Sequence, residues 1–154
     1  MTTVYVTGLS GVGKSSALMH LAEQGFKVID TDYGYTTVGK TKDGEEVMLD
    51  EEKMNQLLQE HGESHLFISG CYSNQSKFYK LVDYIVLLSA DLDVMLQRVV
   101  ERTTNDFGKN EQEREEIIAS FTYVLPLLKD SSDLVIDTTN KDVDVVCEEL
   151  KRLL

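Results

Sequence analysis

Short apolar runs alternate along the chain with longer stretches in which apolar residues recur every three or four positions. The runs predict five buried β-strands, at residues 4–6, 26–29, 66–69, 84–88 and 134–136. The stretches with helical spacing predict helices, at residues 17–22, 51–61, 92–99, 111–128 and 143–150. The only proline, Pro126, should kink or end the fourth of these helices. Such alternation implies an α/β protein with a parallel sheet, right-handed crossovers and helices on both faces.

Two segments interrupt this alternation. Residues 33–49 mix polar and apolar positions around the turn signal Asp43-Gly44, and we expect an irregular insertion there. A helix capped by Asp50 should follow it, with one apolar face formed by Met54, Leu57, Leu58 and His61. Residues 103–110 are rich in helix breakers and polar side chains, which predicts a mobile lid.

Composition and charge favour a single domain that acts on a small molecule. The 154 residues suffice for a sizeable core, and the net charge of −12 should repel nucleic acid and anionic membranes. No apolar stretch approaches the roughly 20 residues that cross a bilayer, and Cys71 and Cys147 suggest neither a disulfide framework nor a zinc site. We therefore expect a cytoplasmic monomer or homodimer with no nucleic-acid or membrane partner.

The segment between the first strand and the first helix has the sequence GLSGVGKS, a match to the P-loop pattern GxxxxGK[ST]. In that motif glycines turn backbone N–H groups inward onto a phosphate chain, and the helix N-terminus adds partial positive charge. Lys14 would reach the β and γ phosphates, and the Ser15 hydroxyl would face Mg²⁺. The motif predicts binding of MgATP by Gly8, Leu9, Ser10, Gly11, Val12, Gly13, Lys14, Ser15 and Ser16.

Two carboxylates follow the second predicted strand. Asp30 and Asp32 are two positions apart, so their side chains can point into the same space at the carboxyl end of the sheet, where α/β proteins bind ligands. Alternatively, Asp32 caps a helix that begins at Tyr33.

In the order of its motifs the chain resembles the P-loop small-molecule kinases, the group that holds nucleoside monophosphate kinases, shikimate kinases and gluconate kinases. The resemblance rests on GLSGVGKS, on VIDTD after the second strand, on a helix with arginines that leads into a polar lid, and on VIDTT near the end. Segments such as SGCYSNQSKFY and RTTNDFGK also resemble small uncharacterised bacterial ATP-binding proteins. The group implies a three-layer P-loop fold with a five-stranded parallel sheet of order 2-3-1-4-5, in one domain over residues 1–154. An acceptor-side insertion would occupy about 33–62 and a lid about 103–114.

This resemblance also implies roles for individual residues in phosphoryl transfer from MgATP to a small acceptor. Asp30 would hold Mg²⁺ together with Ser15, and Asp32 would orient or deprotonate the acceptor hydroxyl. Arg98 and Arg102 would contact phosphates near the lid beside Lys14. An exposed ion pair with Glu101 is the alternative for Arg98.

The sequence departs from the group in two ways that bear on the acceptor. No arginine occurs from Asp32 through Leu88, where the acceptor pocket should lie, so a strongly anionic acceptor is disfavoured unless Lys40, Lys42, Lys53 or Lys77 replaces the missing arginines. The third strand ends in Ser69-Gly70 where many P-loop proteins carry an acid, so Asp30 would be the one carboxylate left to support Mg²⁺. Cys71 is a further candidate for acceptor contact, although a buried structural thiol is an equally ordinary role for it. Tyr33, Tyr35 and Tyr72 could stack on an acceptor ring, although single aromatic residues more often serve in packing.

These features favour an ATP-dependent phosphotransferase that acts on a hydroxyl of a small metabolite without strong negative charge. The alternative is a nucleotide-dependent switch or sensor with no small-molecule acceptor. GTP is disfavoured, because the segment Asn140-Lys141-Asp142-Val143 lacks the final acid of the guanine-selective NKxD element.

Overall fold

A computed structural model describes residues 1–60, 62–103 and 105–154. His61, predicted on an apolar helix face, and Thr104, within the predicted lid, lie outside the described residues. Five parallel strands form one sheet: β1 (Thr3–Thr7), β2 (Lys27–Asp30), β5 (Leu66–Ser69), β6 (Tyr84–Ser89) and β7 (Leu134–Asp137). The predicted five-stranded parallel sheet is confirmed.

The order of the strands across this sheet is β2-β5-β1-β6-β7. The predicted order, 2-3-1-4-5, numbered only the five strands of this sheet. Two further strands follow β2 along the chain, so the third, fourth and fifth strands of the sheet are numbered β5, β6 and β7. The first strand is central, and β2 and β7 are at the edges.

The expectation of an irregular insertion over residues 33–49 is wrong for most of that segment. Strands β3 (Thr36–Thr41) and β4 (Gly44–Leu49) pair there as an antiparallel hairpin. The Thr41 hydroxyl accepts a hydrogen bond from the Asp43 N–H and donates to the Gly44 carbonyl, and Gly44 adopts a φ of 114° that the turn requires. A turn signal between two segments of β-forming residues is typical of such a hairpin.

Helices connect the strands of the main sheet. They are α1 (Lys14–Glu23), α2 (Glu51–Glu60), a 3-10 helix (Gln75–Leu81), α3 (Leu92–Glu101), α4 (Glu111–Tyr123), α5 (Leu125–Ser131) and α6 (Val143–Lys151). Pro126 lies in the first turn of α5, where its missing N–H costs least, so the predicted break in this helix is confirmed. Among the described residues, no helix is long and apolar enough to span a membrane.

The core explains why β1 reads as a short apolar run. All five of its residues are buried, because parallel strands at the centre of a sheet are covered on both faces. Val4 and Val6 pack on one side with Ala17 and Leu21 of α1. Tyr5 points to the other side and belongs to a second cluster with Met54 of α2 and Phe78 of the 3-10 helix. The carboxyl end of β1 is thereby held rigidly beneath the loop that follows it.

Candidate active site

The loop between β1 and α1 has the conformation of a phosphate-binding cradle. Gly11 and Gly13 have φ angles of 88° and 98°, values that other residues rarely adopt. A Cβ at Gly11 would lie 2.5 Å from the Met95 carbonyl oxygen, so α3 leaves no room for a side chain there. No side chain caps the N-terminus of α1, which leaves its backbone N–H groups available to an anion.

Lys14 lies folded against this loop. Its ammonium group donates to the carbonyl oxygens of Gly8 and of Leu9, the latter at 3.1 Å. Burial lowers the pKa of Lys14, because a charged ammonium loses hydration in this position. A phosphate chain in the cradle would offer the same ammonium a negatively charged acceptor.

A cavity of about 420 Å³ lies over the P-loop. Residues 9–16 line one side of it, which includes every predicted nucleotide-binding residue except Gly8. The remaining lining residues come from the loop after β2, from α3, from the segment that follows α3, and from the region of β7 and α6: Asp32, Arg98, Arg102, Asn105, Thr138, Lys141, Val143 and Val146. Val143 and Val146 add apolar surface to this lining, which suits a nucleobase.

Arg98 supports the P-loop directly. Its Nη1 donates to the Gly11 carbonyl at 3.3 Å and to the Thr138 hydroxyl at 3.0 Å, and its Nη2 donates to the Thr138 carbonyl at 2.7 Å. The Thr138 hydroxyl in turn donates to the Val12 carbonyl at 2.8 Å. Among the ion pairs of the described residues, none joins Arg98 to Glu101. Sequence reasoning missed Thr138, although the segment VIDTT that contains it was part of the resemblance.

Arg102 holds the backbone of the predicted lid. Its Nε donates to the Asn105 carbonyl at 3.3 Å, and its Nη2 donates to the Phe107 carbonyl at 2.7 Å. Arg114, the further arginine near this segment, donates to the Lys109 carbonyl at 2.8 Å. Arg98 and Arg102 both line the cavity over the P-loop. Direct contact of either arginine with a phosphate stays a prediction.

The two carboxylates after β2 lie beside the P-loop serine. Asp30 Oδ2 accepts a hydrogen bond from the Ser15 hydroxyl at 3.4 Å, and Asp30 Oδ1 accepts one from the Asp32 N–H at 3.1 Å. Burial raises the pKa of the Asp30 carboxyl, while these hydrogen bonds act in the opposite direction. No helix begins at Tyr33, so the alternative in which Asp32 is a helix cap is excluded.

Ser15 and Asp30 offer oxygen ligands suited to Mg²⁺. The part of the chain that the structure describes holds no cluster of three or more histidine, cysteine or acidic side chains that could bind a metal on their own. Mg²⁺ commonly takes one or two protein ligands and completes its shell with water and substrate phosphates, so the pair fits a nucleotide-bound ion.

A second cavity, of about 760 Å³, adjoins the first. The two share five lining residues: Leu9, Ser10, Lys14, Asp32 and Asn105. The other walls come mostly from hairpin strand β4, the loop after β5, the predicted lid and helices α4 and α5. Their lining residues are Glu46, Val47, Cys71, Tyr72, Ser73, Phe107, Glu116, Ile117, Ser120, Val124 and Leu128. Lys14 and Asp32 therefore lie where the two cavities meet.

Charges around the second cavity are mostly negative. Lys14 is the only cation among the described residues that line it, against the three carboxylates of Asp32, Glu46 and Glu116. The lysines that might have replaced arginines lie elsewhere: Lys53 donates to the Gly34 carbonyl at 3.0 Å, and Lys77 pairs with Glu51 at 3.1 Å. Lys40 and Lys42 do not line the cavity either.

Of the aromatic and thiol candidates, Tyr72 and Cys71 line the second cavity. The Tyr72 hydroxyl donates to Asp32 Oδ1, a contact that sequence reasoning missed because it expected only ring stacking. Tyr33 is 71% exposed and lines neither cavity, and Tyr35 lines a separate pocket beside α2.

The chain matches one protein-family model and resembles solved structures in its fold. The model of the AAA domain family matches residues 4–119. The fold resembles shikimate kinase from Acinetobacter baumannii, solved in complex with shikimate, with a TM-score of 0.67 at 17% identity over 99% of this chain and 92% of that one. Shikimate kinase from Bacteroides thetaiotaomicron gives 0.62 at 17% identity, over 99% and 97% of the two chains. An uncharacterized protein from Eubacterium ventriosum gives 0.61 at 13% identity, over 99% and 98%.

No curated protein is significantly similar to this chain in sequence. The match to the family model nevertheless covers the P-loop, both carboxylates, Arg98, Arg102 and most of α4. The chain therefore belongs to the AAA domain family, and its fold is that of the P-loop small-molecule kinases.

Proposed function

We propose that the protein transfers the γ-phosphoryl group of MgATP to a hydroxyl of a small metabolite that carries no strong negative charge. The observation that carries this proposal is the meeting of the two cavities at Lys14 and Asp32. A lysine for phosphate and a carboxylate for a hydroxyl proton are the groups that such a transfer needs at one point, since it depends on positioning and charge stabilisation.

The first cavity supports nucleotide binding. The P-loop N–H groups and Lys14 would hold the phosphates, with Val143 and Val146 beside the base. Ser15 and Asp30 would hold Mg²⁺, which when bound neutralises charge on the phosphates. Arg102 would bring its guanidinium to the phosphates as the lid segment closes, while Arg98 keeps the P-loop in shape.

The second cavity supports an acceptor. A hydroxyl beside Asp32 would give its proton to Asp32 Oδ2, which accepts no hydrogen bond from the described residues. The hydroxyl oxygen would form the new bond to the γ-phosphorus, and the bond from that phosphorus to the bridging oxygen of ADP would break. The apolar wall at Ile117, Val124 and Leu128 suits the carbon skeleton of such a compound. Three carboxylates and one lysine in the lining disfavour carboxylated or phosphorylated acceptors.

The experiment incubates the purified chain with MgATP that carries an isotopic label in its γ-phosphate, together with fractions of a metabolite extract. Mass spectrometry then follows the label. A labelled phosphate ester in one fraction, absent with the Lys14→Ala variant, is the result expected. Label that ends only in inorganic phosphate, at a rate no fraction changes, would instead support a nucleotide-dependent switch.

A further inference from the structure

The loop after β5 carries Tyr72, whose hydroxyl donates a hydrogen bond to the Asp32 carboxylate. From its contacts we infer that Tyr72 is a positioning residue for Asp32, and that the buried Gln75 holds Tyr72 in place. The inference rests on the proposed function, in which Asp32 receives the acceptor proton.

The hydrogen bonds of the two carboxylates leave one oxygen atom free. Both oxygens of Asp30 accept hydrogen bonds, from Ser15 and from the Asp32 N–H. Asp32 Oδ1 accepts from Tyr72. Within residues 1–60, 62–103 and 105–154, no group donates to Asp32 Oδ2. Tyr72 therefore selects which oxygen of Asp32 is available beside the acceptor.

Tyr72 is suited to this task because its hydroxyl keeps its proton. Burial raises the pKa of Tyr72 above the ordinary tyrosine value, and the hydrogen bond to Asp32 raises it further. The group stays a donor over the whole physiological range, so its contact with Asp32 does not compete for the acceptor proton.

Gln75 ties the loop to the sheet beneath it. Its side chain is 3% exposed, and its Oε1 accepts from the Tyr72 N–H at 2.9 Å and from the Tyr5 hydroxyl at 3.1 Å. Its Nε2 donates to the hydroxyls of Thr7 at 3.0 Å and Tyr79 at 2.7 Å. Thr7 ends β1 directly before the P-loop, so one buried amide sets Tyr72 relative to the strand that leads into the nucleotide site.

A neighbouring side chain fixes the same loop to the hairpin. Asn74 accepts from the Leu49 N–H and donates to the Leu49 carbonyl, both at 3.0 Å. Buried amides that satisfy all their partners specify one backbone conformation, because any other would leave polar groups unpaired. The position of Tyr72 is thus built into the fold rather than left to an exposed loop.

The kinetic test is a double-mutant cycle on the full chain with MgATP and the acceptor found in the metabolite screen, or with water as acceptor. Tyr72→Phe should lower kcat roughly tenfold, the size expected for one hydrogen bond to a charged group, with the KM for MgATP unchanged. The single variant Asp32→Asn should lower kcat by more than Tyr72→Phe does. The double variant should be no slower than Asp32→Asn alone, because Tyr72 acts only through Asp32.

Controls separate positioning from general damage. Tyr33→Phe alters an exposed tyrosine one residue from Asp32 and should leave kcat unchanged. Gln75→Leu should lower stability in urea and also reproduce the kcat loss of Tyr72→Phe. The role of Tyr72 would be overturned if the kcat loss of the double variant equalled the product of the two single losses. A normal kcat in Tyr72→Phe would overturn it as well. A normal kcat in Gln75→Leu would overturn the role of Gln75.

A second measurement does not depend on turnover. NMR of the chain labelled with ¹³C at tyrosine Cζ, with the Tyr72 signal assigned through Tyr72→Phe, should show that signal shift in Asp32→Asn and titrate at a lower pH than in the wild type. A Tyr72 signal indifferent to Asp32→Asn would overturn the inference. If the contact is present but no acceptor is ever phosphorylated, the proposed function fails while the contact between the two residues stands.

Discussion

Arg98 and Thr138 are joined at two points, with one guanidinium nitrogen on the threonine hydroxyl and the other on its carbonyl. The threonine hydroxyl donates a hydrogen bond to the Val12 carbonyl, and Arg98 donates one to the Gly11 carbonyl. The two residues together fix the central part of the P-loop from the far edge of the sheet. A nucleotide would then meet a cradle that is already formed, which lowers the entropic cost of binding.

Thr138→Val should weaken this support while keeping the volume of the side chain. We expect a loss of about 1–3 kcal/mol in the free energy of unfolding, because the buried Val12 carbonyl loses its donor. The KM for MgATP should rise several-fold. Urea denaturation and steady-state kinetics measure the two effects, with Thr37→Val on the exposed face of the hairpin as the matched control. Equal behaviour of the two variants would show that Thr138 does not support the P-loop.

Lys14→Ala should separate nucleotide binding from folding. A ligand at 100 times its Kd stabilises a protein by about 2.7 kcal/mol, which appears as a rise in Tm. We expect MgATP to produce such a rise in the wild type and to lose most of it in the variant at the same concentration. Lys42→Ala, at the turn of the hairpin, should retain the full rise. Retention of the rise in Lys14→Ala would place the nucleotide away from the P-loop.

Asp30 should lower the stability of the nucleotide-free protein at neutral pH. Burial raises its pKa in the folded state, so the folded chain holds this proton to a higher pH than the unfolded chain does. Stability therefore falls as pH rises from the ordinary carboxyl range through the raised pKa. Asp30→Asn should raise the urea midpoint at neutral pH, lose that advantage in acid, and impair MgATP turnover.

The matched control for this effect is Asp43→Asn, because Asp43 lies exposed at the turn of the hairpin. Its urea midpoint should follow the wild type at every pH. A midpoint for Asp30→Asn that is lower than the wild type at neutral pH would mean that the hydrogen bonds from Ser15 and Asp32 outweigh the cost of burial.

Among compounds that share one hydroxylated skeleton, the rate of phosphorylation should depend on the charge of the compound. We expect amine-bearing and neutral members to be phosphorylated better than the carboxylated member, because three carboxylates and one lysine line the second cavity, the proposed acceptor site. Glu116→Lys should narrow that difference by roughly twofold to fivefold in kcat/KM, because Glu116 is exposed and an exposed charge contributes up to about 1 kcal/mol. Glu111→Lys, on the same helix outside the cavity, is the control. Preference for the carboxylated compound in the wild type would contradict the assignment of this cavity.

The parts of the site that follow from the sequence are those set by local patterns. The P-loop and the pair Asp30 and Asp32 are contiguous motifs whose backbone geometry depends on neighbouring residues, and the structure brings them together. The hairpin after β2 could also have been predicted, since Asp43-Gly44 separates two segments of β-forming residues.

Contacts between segments that are far apart in the sequence could not be predicted from local patterns. Tyr72 meets Asp32 across 40 positions, and the Thr138 hydroxyl meets the Val12 carbonyl across 126. Both contacts depend on which strands are neighbours in the sheet and on loop conformations that buried amides such as Gln75 determine. A pattern along one chain records that these residues are polar and follow strands, but it does not record their partners.

The most direct test of a phosphotransferase compares three products of one reaction: ADP, inorganic phosphate and phosphorylated acceptor. With the correct metabolite fraction, we expect ADP and phosphorylated acceptor to form in equal amounts, with little inorganic phosphate, and both to disappear in Lys14→Ala. ADP matched by inorganic phosphate in every fraction, with no phosphorylated acceptor, would contradict it.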